Sequence, residues 1–231
     1  MNTKLSVVIP VYQNEILIEK IVRDIHREII SKFPGSEFIV AEDGSTDNTK
    51  EILRRLNKEI PFILISEEKK KGYMRAMKDA LKIAKNDLIF FMDSDGEQDP
   101  KDFWKLYDEI GSCDIVVGYK VNRKPPYRKI LSKLNAQILK LLFNVGMKDI
   151  NSAYKLMRKN VVDEVIDDIK FMPYAPNAEM IILAKRAGFS IKEIPTKHSY
   201  HGSTVFPPSK IPKVIYTHLK DITLLRISLL R

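Results

Sequence analysis

Cysteine is all but absent: Cys113 stands alone among 231 residues. A single thiol excludes an internal disulfide and a cysteine-built zinc site. Its place in an apolar run marks it as a packed core residue. Neither Gly-x-Gly-x-x-Gly nor Gly-x-x-x-x-Gly-Lys-Ser/Thr occurs, which disfavours a conventional dehydrogenase and a P-loop enzyme. No apolar run reaches the ~20 residues needed to span a bilayer. The apolar stretch at 5–11 leads straight into a strand-and-helix pattern, so no signal peptide is expected. Internal repeats and low-complexity tracts are also missing. Acidic residues vanish between Asp114 and Asp149.

What is present reads as an ordinary globular chain, 44% hydrophobic and 30% charged. The length allows one substantial core with two sub-regions. The formal net charge of +9 favours an anionic partner: nucleic acid, a membrane surface or a phosphorylated substrate.

The first half alternates strands and helices. Residues 4–11, 37–41, 62–65 and 87–92 read as short buried strands. Residues 15–33, 49–57 and 72–84 carry helical spacing, with Ile18, Ile21, Val22, Ile25 and Ile29 forming the first stripe. Such alternation implies parallel βαβ units wound right-handed. Three polar loops then gather at one sheet edge: residues 10–15, 42–45 and 93–95. An open α/β sheet binds a nucleotide at that place.

The last loop is the most pointed. The apolar run Leu88-Ile89-Phe90-Phe91-Met92 ends abruptly in Asp93-Ser94-Asp95. Two carboxylates two residues apart suit a hard divalent cation that keeps waters and takes further oxygens from a phosphate. Alone, Asp-x-Asp is more often a solvated turn. Its position after a buried strand, beyond two other polar strand ends, favours the functional reading.

Three segments in order, Val8-Ile9-Pro10-Val11-Tyr12-Gln13-Asn14-Glu15, Glu42-Asp43-Gly44-Ser45-Thr46-Asp47 and Asp93-Ser94-Asp95-Gly96-Glu97-Gln98-Asp99-Pro100, resemble the signatures of family 2 glycosyltransferases. That resemblance implies an α/β GT-A fold: a single domain with a mostly parallel central sheet, using a nucleotide-sugar with inversion. It implies that Pro10 and Tyr12 flank the base, that Glu15 closes their loop, and that Asp43, preceded by Glu42, accepts from a base N–H. It also implies that Asp93 and Asp95 bind Mg2+ or Mn2+, with Ser94 between them and Glu97 as a third contact. Lys71, Gly72 and Arg75 open the third helix, where free backbone N–H groups attract phosphate. Arg75 resembles the diphosphate-facing position, whereas Lys69 and Lys70 read as solvated lysines.

The second half is charged with one sign. Lys120, Arg123, Lys124, Arg128, Lys129, Lys133, Lys140 and Lys148 fall in the stretch without acids, the pattern of an anion-binding surface. Residues 112–118 read as a strand, 177–188 as a helix and 189–195 as a closing strand. Residues 127–143 form a basic amphipathic helix, suited either to a membrane surface or to the core. Residues 149–157 resemble the acceptor side of the polyprenyl-phosphate glycosyltransferases, the subgroup that includes dolichol-phosphate mannose synthase. There Arg123, Arg128 and Ser132 occupy places that hold a lipid phosphate. Relatives often carry Ser-Gly-Phe-Arg where this chain has Ser152-Ala153-Tyr154-Lys155. His198 and His201 are either diphosphate contacts or ordinary loop residues. A second amphipathic helix over 211–230 is expected to lie on a membrane or to form a homodimer.

These expectations divide the chain into a catalytic region at 1–204, with a nucleotide-sugar half at 1–118 and an acceptor half at 119–204, followed by a basic helix at 205–231. A hydroxyl acceptor needs a general base, for which Glu179 and then Asp99 are the candidates. A phosphate acceptor is already ionised and needs cations instead. The expected activity is therefore transfer of mannose or glucose from a GDP- or UDP-sugar to a polyprenyl (dolichyl) phosphate. The enzyme is expected at the cytoplasmic face of a membrane, with Asp95, Arg123 and Arg128 as the catalytic groups. A saccharide- or glycolipid-extending enzyme is the alternative. A non-enzymatic binding module ranks last, and nucleic acid is not expected, because base-stacking aromatics do not interleave with the basic residues.

Overall fold

The computed structural model describes residues 4–121, 126–199 and 211–230, with side chains for all of these except 126–131 and 211. Seven strands form one sheet: β1 (Leu5–Val11), β2 (Glu37–Glu42), β3 (Ile63–Ser66), β4 (Leu88–Phe91), β5 (Ile115–Lys120), β6 (Lys155–Arg158) and β7 (Ile191–Thr196). Their spatial order is β3-β2-β1-β4-β6-β5-β7. All pair in parallel except β6, which runs antiparallel to both β4 and β5. This is the mostly parallel α/β arrangement expected.

The central strands are apolar along their whole length because both faces are covered. On β4, Leu88 and Phe90 pack with α1 (Ile18–Glu28), α2 (Thr49–Leu56) and α4 (Phe103–Tyr107) on one face. Ile89 and Phe91 point the other way. They pack with α3 (Tyr73–Ile83), α6 (Lys159–Val165), α7 (Pro176–Arg186) and parts of α5 (Pro126–Phe143) and α8 (Ile211–Ser228). A residue's face thus follows from its parity along the strand. Edge strand β7 carries Lys192, Glu193 and Pro195, a composition that discourages pairing with another chain.

The strand β6 was not anticipated. Only four residues long and bounded by Lys155 and Arg158, it has no alternation to announce it. Tertiary pairing makes it a strand: Phe91 lies opposite Lys155 and Leu88 opposite Arg158. Because β6 is reversed, its first residue, Lys155, lies at the edge where β1, β2, β4 and β5 end.

Candidate active site

The loops after β1 and β2 are bonded to each other. The Asp43 amide donates to the Val11 carbonyl at 2.9 Å. Gln13, in the left-handed region at φ 47°, donates its amide to Ser45 Oγ at 2.9 Å. The Asn14 amide donates to Thr49 Oγ1 at 2.8 Å, and Glu15 accepts from both the amide and the side chain of Asn48. Glu15 therefore closes this loop onto the next. Pro10 ends inside the sheet, with its carbonyl accepting from Ser94 Oγ at 2.7 Å.

Asp43 organises a further segment. Its Oδ1 and Oδ2 accept from the backbone amides of Lys71 at 2.7 Å and Gly72 at 2.9 Å. Glu42 is buried and accepts from the Ser45 amide and from Ser66 Oγ. Gly44 has φ 72°, and a Cβ there would lie 2.3 Å from the Lys69 carbonyl carbon. Only glycine fits so close an approach. The segment 66–72 is thereby pressed onto the β2 loop. Lys70, exposed as expected, also places its ammonium 3.6 Å from the centre of the Tyr12 ring, a cation–π contact. Lys71 pairs with Glu67 at 2.5 Å. Arg75 is exposed in the first turn of α3.

The carboxylates after β4 complete the edge. Asn14 Nδ2 donates to the Ser94 carbonyl, which ties this loop to the β1 loop. Asp95 Oδ1 accepts from the Glu97 amide at 2.9 Å. Asp93 Oδ1 accepts from the Tyr73 hydroxyl at 2.7 Å. Desolvation and the neighbouring Asp95 charge push the Asp93 carboxyl up to about 6, against a smaller pull from the Tyr73 hydrogen bond and from Lys120 and Lys155. Two crowded carboxylates with this donor chemistry fit Mg2+ or Mn2+, which bind through one or two carboxylates plus substrate phosphate. Among the described residues no three His, Cys, Asp or Glu side chains converge as a ready-made metal cage.

Glu97 lies beside this pair but faces the second half of the chain. Its buried Oε2 is 2.5 Å from Lys120 Nζ and 3.1 Å from His198 Nε2. The Ser199 amide donates to the Glu97 carbonyl at 2.8 Å. Glu97 thus joins the β4 loop to the end of β5 and to the segment after β7. His198 enters the site through this contact, at a side-chain exposure of 1%.

Behind Asp93 lie three polar side chains: Tyr73 and Asn177, given no role from the sequence, and Lys155, noted there only as a departure from the Ser-Gly-Phe-Arg of relatives. Lys155 is fully buried, and burial pushes its ammonium down to about 7. Its Nζ donates to Asn177 Oδ1 at 2.5 Å. Asn177 Nδ2 donates to the Tyr73 hydroxyl at 2.9 Å. The hints in the sequence were that departure and a lysine flanked by apolar residues at 153–157.

Glu179 is a correction. Expected as the first candidate for a general base, it is fully buried and accepts from the amides of Lys170, Phe171 and Met172 at 2.7–3.1 Å. A carboxylate whose oxygens are taken up by three backbone amides anchors a turn. Asp99 caps the short 3₁₀ turn Pro100–Asp102 through the Lys101 amide. Ser132 sits half-buried on α5. Arg123 and His201 lie outside the described residues, as does the side chain of Arg128.

The model of glycosyl transferase family 2 matches residues 6–166. The glycosyltransferase AglD of Haloferax volcanii is 28% identical over 211 residues, which cover 87% of this chain and 34% of that protein. The dolichyl-phosphate beta-glucosyltransferase ALG5A of Trichomonas vaginalis is 27% identical over 210 residues, 84% of this chain and 65% of its own. The chain thus spans about a third of the first relative and just under two thirds of the second. Glucosyl-3-phosphoglycerate synthase of Mycobacterium tuberculosis, solved with Mn2+, uridine diphosphate and glucosyl-3-phosphoglycerate, superposes with a TM-score of 0.73 at 18% identity. The match covers 96% of this chain and 80% of that one, and at that identity it speaks to the fold. The loops after β1, β2 and β4 therefore sit in a GT-A fold, and the chain belongs to glycosyl transferase family 2.

Proposed function

We propose that this enzyme transfers a hexose, glucose or mannose, from a UDP- or GDP-sugar to a polyprenyl phosphate, with inversion and at a membrane surface. On this reading Tyr12 and Pro10 flank the base, and Asp43 holds the 66–72 segment against it. Arg75 faces the diphosphate from the start of α3. Asp93 and Asp95 would hold Mg2+ or Mn2+. The cation supplies Lewis-acid stabilisation of the charge that builds on the departing diphosphate. Glu97 keeps the loop in place through Lys120 and His198. Arg123, Arg128 and Ser132 would hold the acceptor phosphate, whose ionised oxygen attacks the anomeric carbon without a general base.

One observation carries the choice of acceptor: the outer faces of α5 and α8 are apolar and edged with cations. Leu134 and Leu141 on α5, and Ile215, Tyr216, Leu219, Leu224 and Ile227 on α8, are exposed. Lys133, Lys140, Lys213 and Lys220 accompany them. A cleft of about 230 Å³ at the far ends of α5, α7 and α8 adds Lys185, Arg186 and Arg226. Such a face suits a peripheral position on anionic lipid. No helix among the described residues is long and apolar enough to cross a membrane. The similarity to a dolichyl-phosphate glucosyltransferase supports the same choice. A saccharide hydroxyl is the second reading, and it requires a base other than Glu179.

The test has two arms. Thermal stabilisation by UDP and GDP, with and without Mn2+ or Mg2+, identifies the donor nucleotide. An acceptor assay with vesicle-borne polyprenyl phosphate and no saccharide is then expected to give glycosylated lipid. Product formed only when an oligosaccharide is added overturns the lipid-phosphate reading. Turnover that survives chelation and Asp95→Ala overturns the cation-dependent site.

A further inference from the structure

The four groups Lys155, Asn177, Tyr73 and Asp93 form a file of hydrogen bonds that runs one way. It starts in β6, passes through the first turn of α7 and the first residue of α3, and ends in the loop after β4. The three links are 2.5, 2.9 and 2.7 Å. Lys155 is inaccessible to solvent and Asn177 nearly so.

The direction of each bond is dictated by its neighbour. Ionised Asp93 can only accept, so the Tyr73 hydroxyl gives it its hydrogen, and Lys155 at the far end donates from Nζ. Lys155 therefore demands the oxygen of the Asn177 amide. That turns the amide nitrogen toward Tyr73, whose hydroxyl oxygen must accept. The hydroxyl hydrogen is then left for Asp93 Oδ1. Reversing any one bond would set two donors or two acceptors against each other in a buried place, which is unfavourable. The chain thus fixes which Asp93 oxygen receives a hydrogen and leaves Oδ2 for another partner.

We propose that Lys155, Asn177 and Tyr73 are positioning residues that hold Asp93 in the orientation a divalent cation requires. This rests on the reading of Asp93 and Asp95 as cation ligands. It adds a mechanical link between the halves of the chain: β6 and α7, which belong to the second half, set the geometry of a carboxylate in the first. Groups that hydrogen-bond a metal ligand tune the affinity for the ion, and their loss typically weakens binding 10–100-fold.

The experiment is Mn2+ binding followed by electron paramagnetic resonance, with UDP and with GDP present, on the wild type, Tyr73→Phe and Asn177→Leu. Tyr73→Phe keeps the ring and removes the hydrogen bond to Asp93. Asn177→Leu keeps the volume and breaks the file one step earlier. Tyr73→Phe is expected to raise the Mn2+ dissociation constant about tenfold or more. Asn177→Leu is expected to raise it in the same direction and by less. Nucleotide affinity without metal is expected to stay within about twofold for both, whereas a general loosening of the fold would lower it. If Tyr73→Phe fails to fold, Asn177→Leu carries the test alone. Wild-type Mn2+ affinity in the folded variants overturns the positioning role and leaves the cation site standing. A wild-type protein that binds no Mn2+ overturns both.

Discussion

The edge formed by β1, β2 and β4 and the face formed by α5 and α8 are built on opposite plans. At the edge, three loops share side-chain and backbone hydrogen bonds, so that Gln13, Asn14, Asp43 and Ser94 each hold a neighbouring loop. On the helical face, Leu141 is 87% exposed and Tyr216 72% exposed. The donor side is finished by the chain's own contacts. The helical side presents apolar surface that gains by being covered. Under the proposed function the two plans would serve one substrate taken from water and one from a lipid surface.

The sharpest way to break this comparison is at the acidic edge. Asp95→Asn keeps the shape and removes a charge. Turnover is expected to fall by roughly 10²–10³ while the circular dichroism spectrum is unchanged. A drop of less than about tenfold would make the edge a bystander.

Next in size is Gly44→Ala. The added methyl meets the Lys69 backbone at 2.3 Å in a left-handed residue. A loss of about 2–4 kcal/mol in urea unfolding is expected, together with weakened nucleotide binding. An equivalent change at Gly111, where a Cβ would meet nothing within 4 Å, serves as the control.

A pH series examines the buried cation behind the edge. Lys155 is pushed down to about 7 from an ordinary 10.5, chiefly by burial. Between those values the folded chain has released a proton that the unfolded chain still binds. Metal-free stability contributed by this group therefore rises with pH across that window, by up to about 1.4 kcal/mol per unit. Lys155→Met is expected to remove the rise. Identical thermal midpoint–pH profiles for the two proteins would show that Lys155 is charged alike in both states.

The smallest effect on the protein itself concerns the helical face. The double variant Leu141→Glu, Tyr216→Glu is expected to change stability by no more than about 0.5 kcal/mol. Sedimentation with vesicles containing anionic lipid should nevertheless fall about tenfold. Unchanged sedimentation would assign these side chains to another partner, a second copy of the chain among them.

Much of the donor edge was legible because each loop directly follows its strand in sequence. An apolar run ending in Asp-Ser-Asp, or in Glu-Asp-Gly-Ser, places its polar residues by chain continuity alone. The parallel order of the first four strands followed from the intervening helices for the same reason. What escaped depends on partners distant in sequence. Lys155 and Asn177 are 22 residues apart, and Asn177 and Tyr73 are 104 apart. Glu179 looked like a free carboxylate because nothing local shows that residues 170–172 turn their amides toward it. Lys70 is exposed, as its reading as a solvated lysine expected, but its place over Tyr12 was not legible because it depends on a loop crossing at Gly44.

The reversed strand also constrains how the molecule can be assembled. While the chain is being made, β4 can pair on one side with β1, but its other neighbour is 64 residues away, at 155–158. Until that segment emerges, Leu-Ile-Phe-Phe presents a bare and sticky border. Any fragment cut between 92 and 154 would keep that border open and tend to precipitate. A stable smaller unit therefore has to extend at least to Arg158, which makes the second half of the chain a structural requirement for the first.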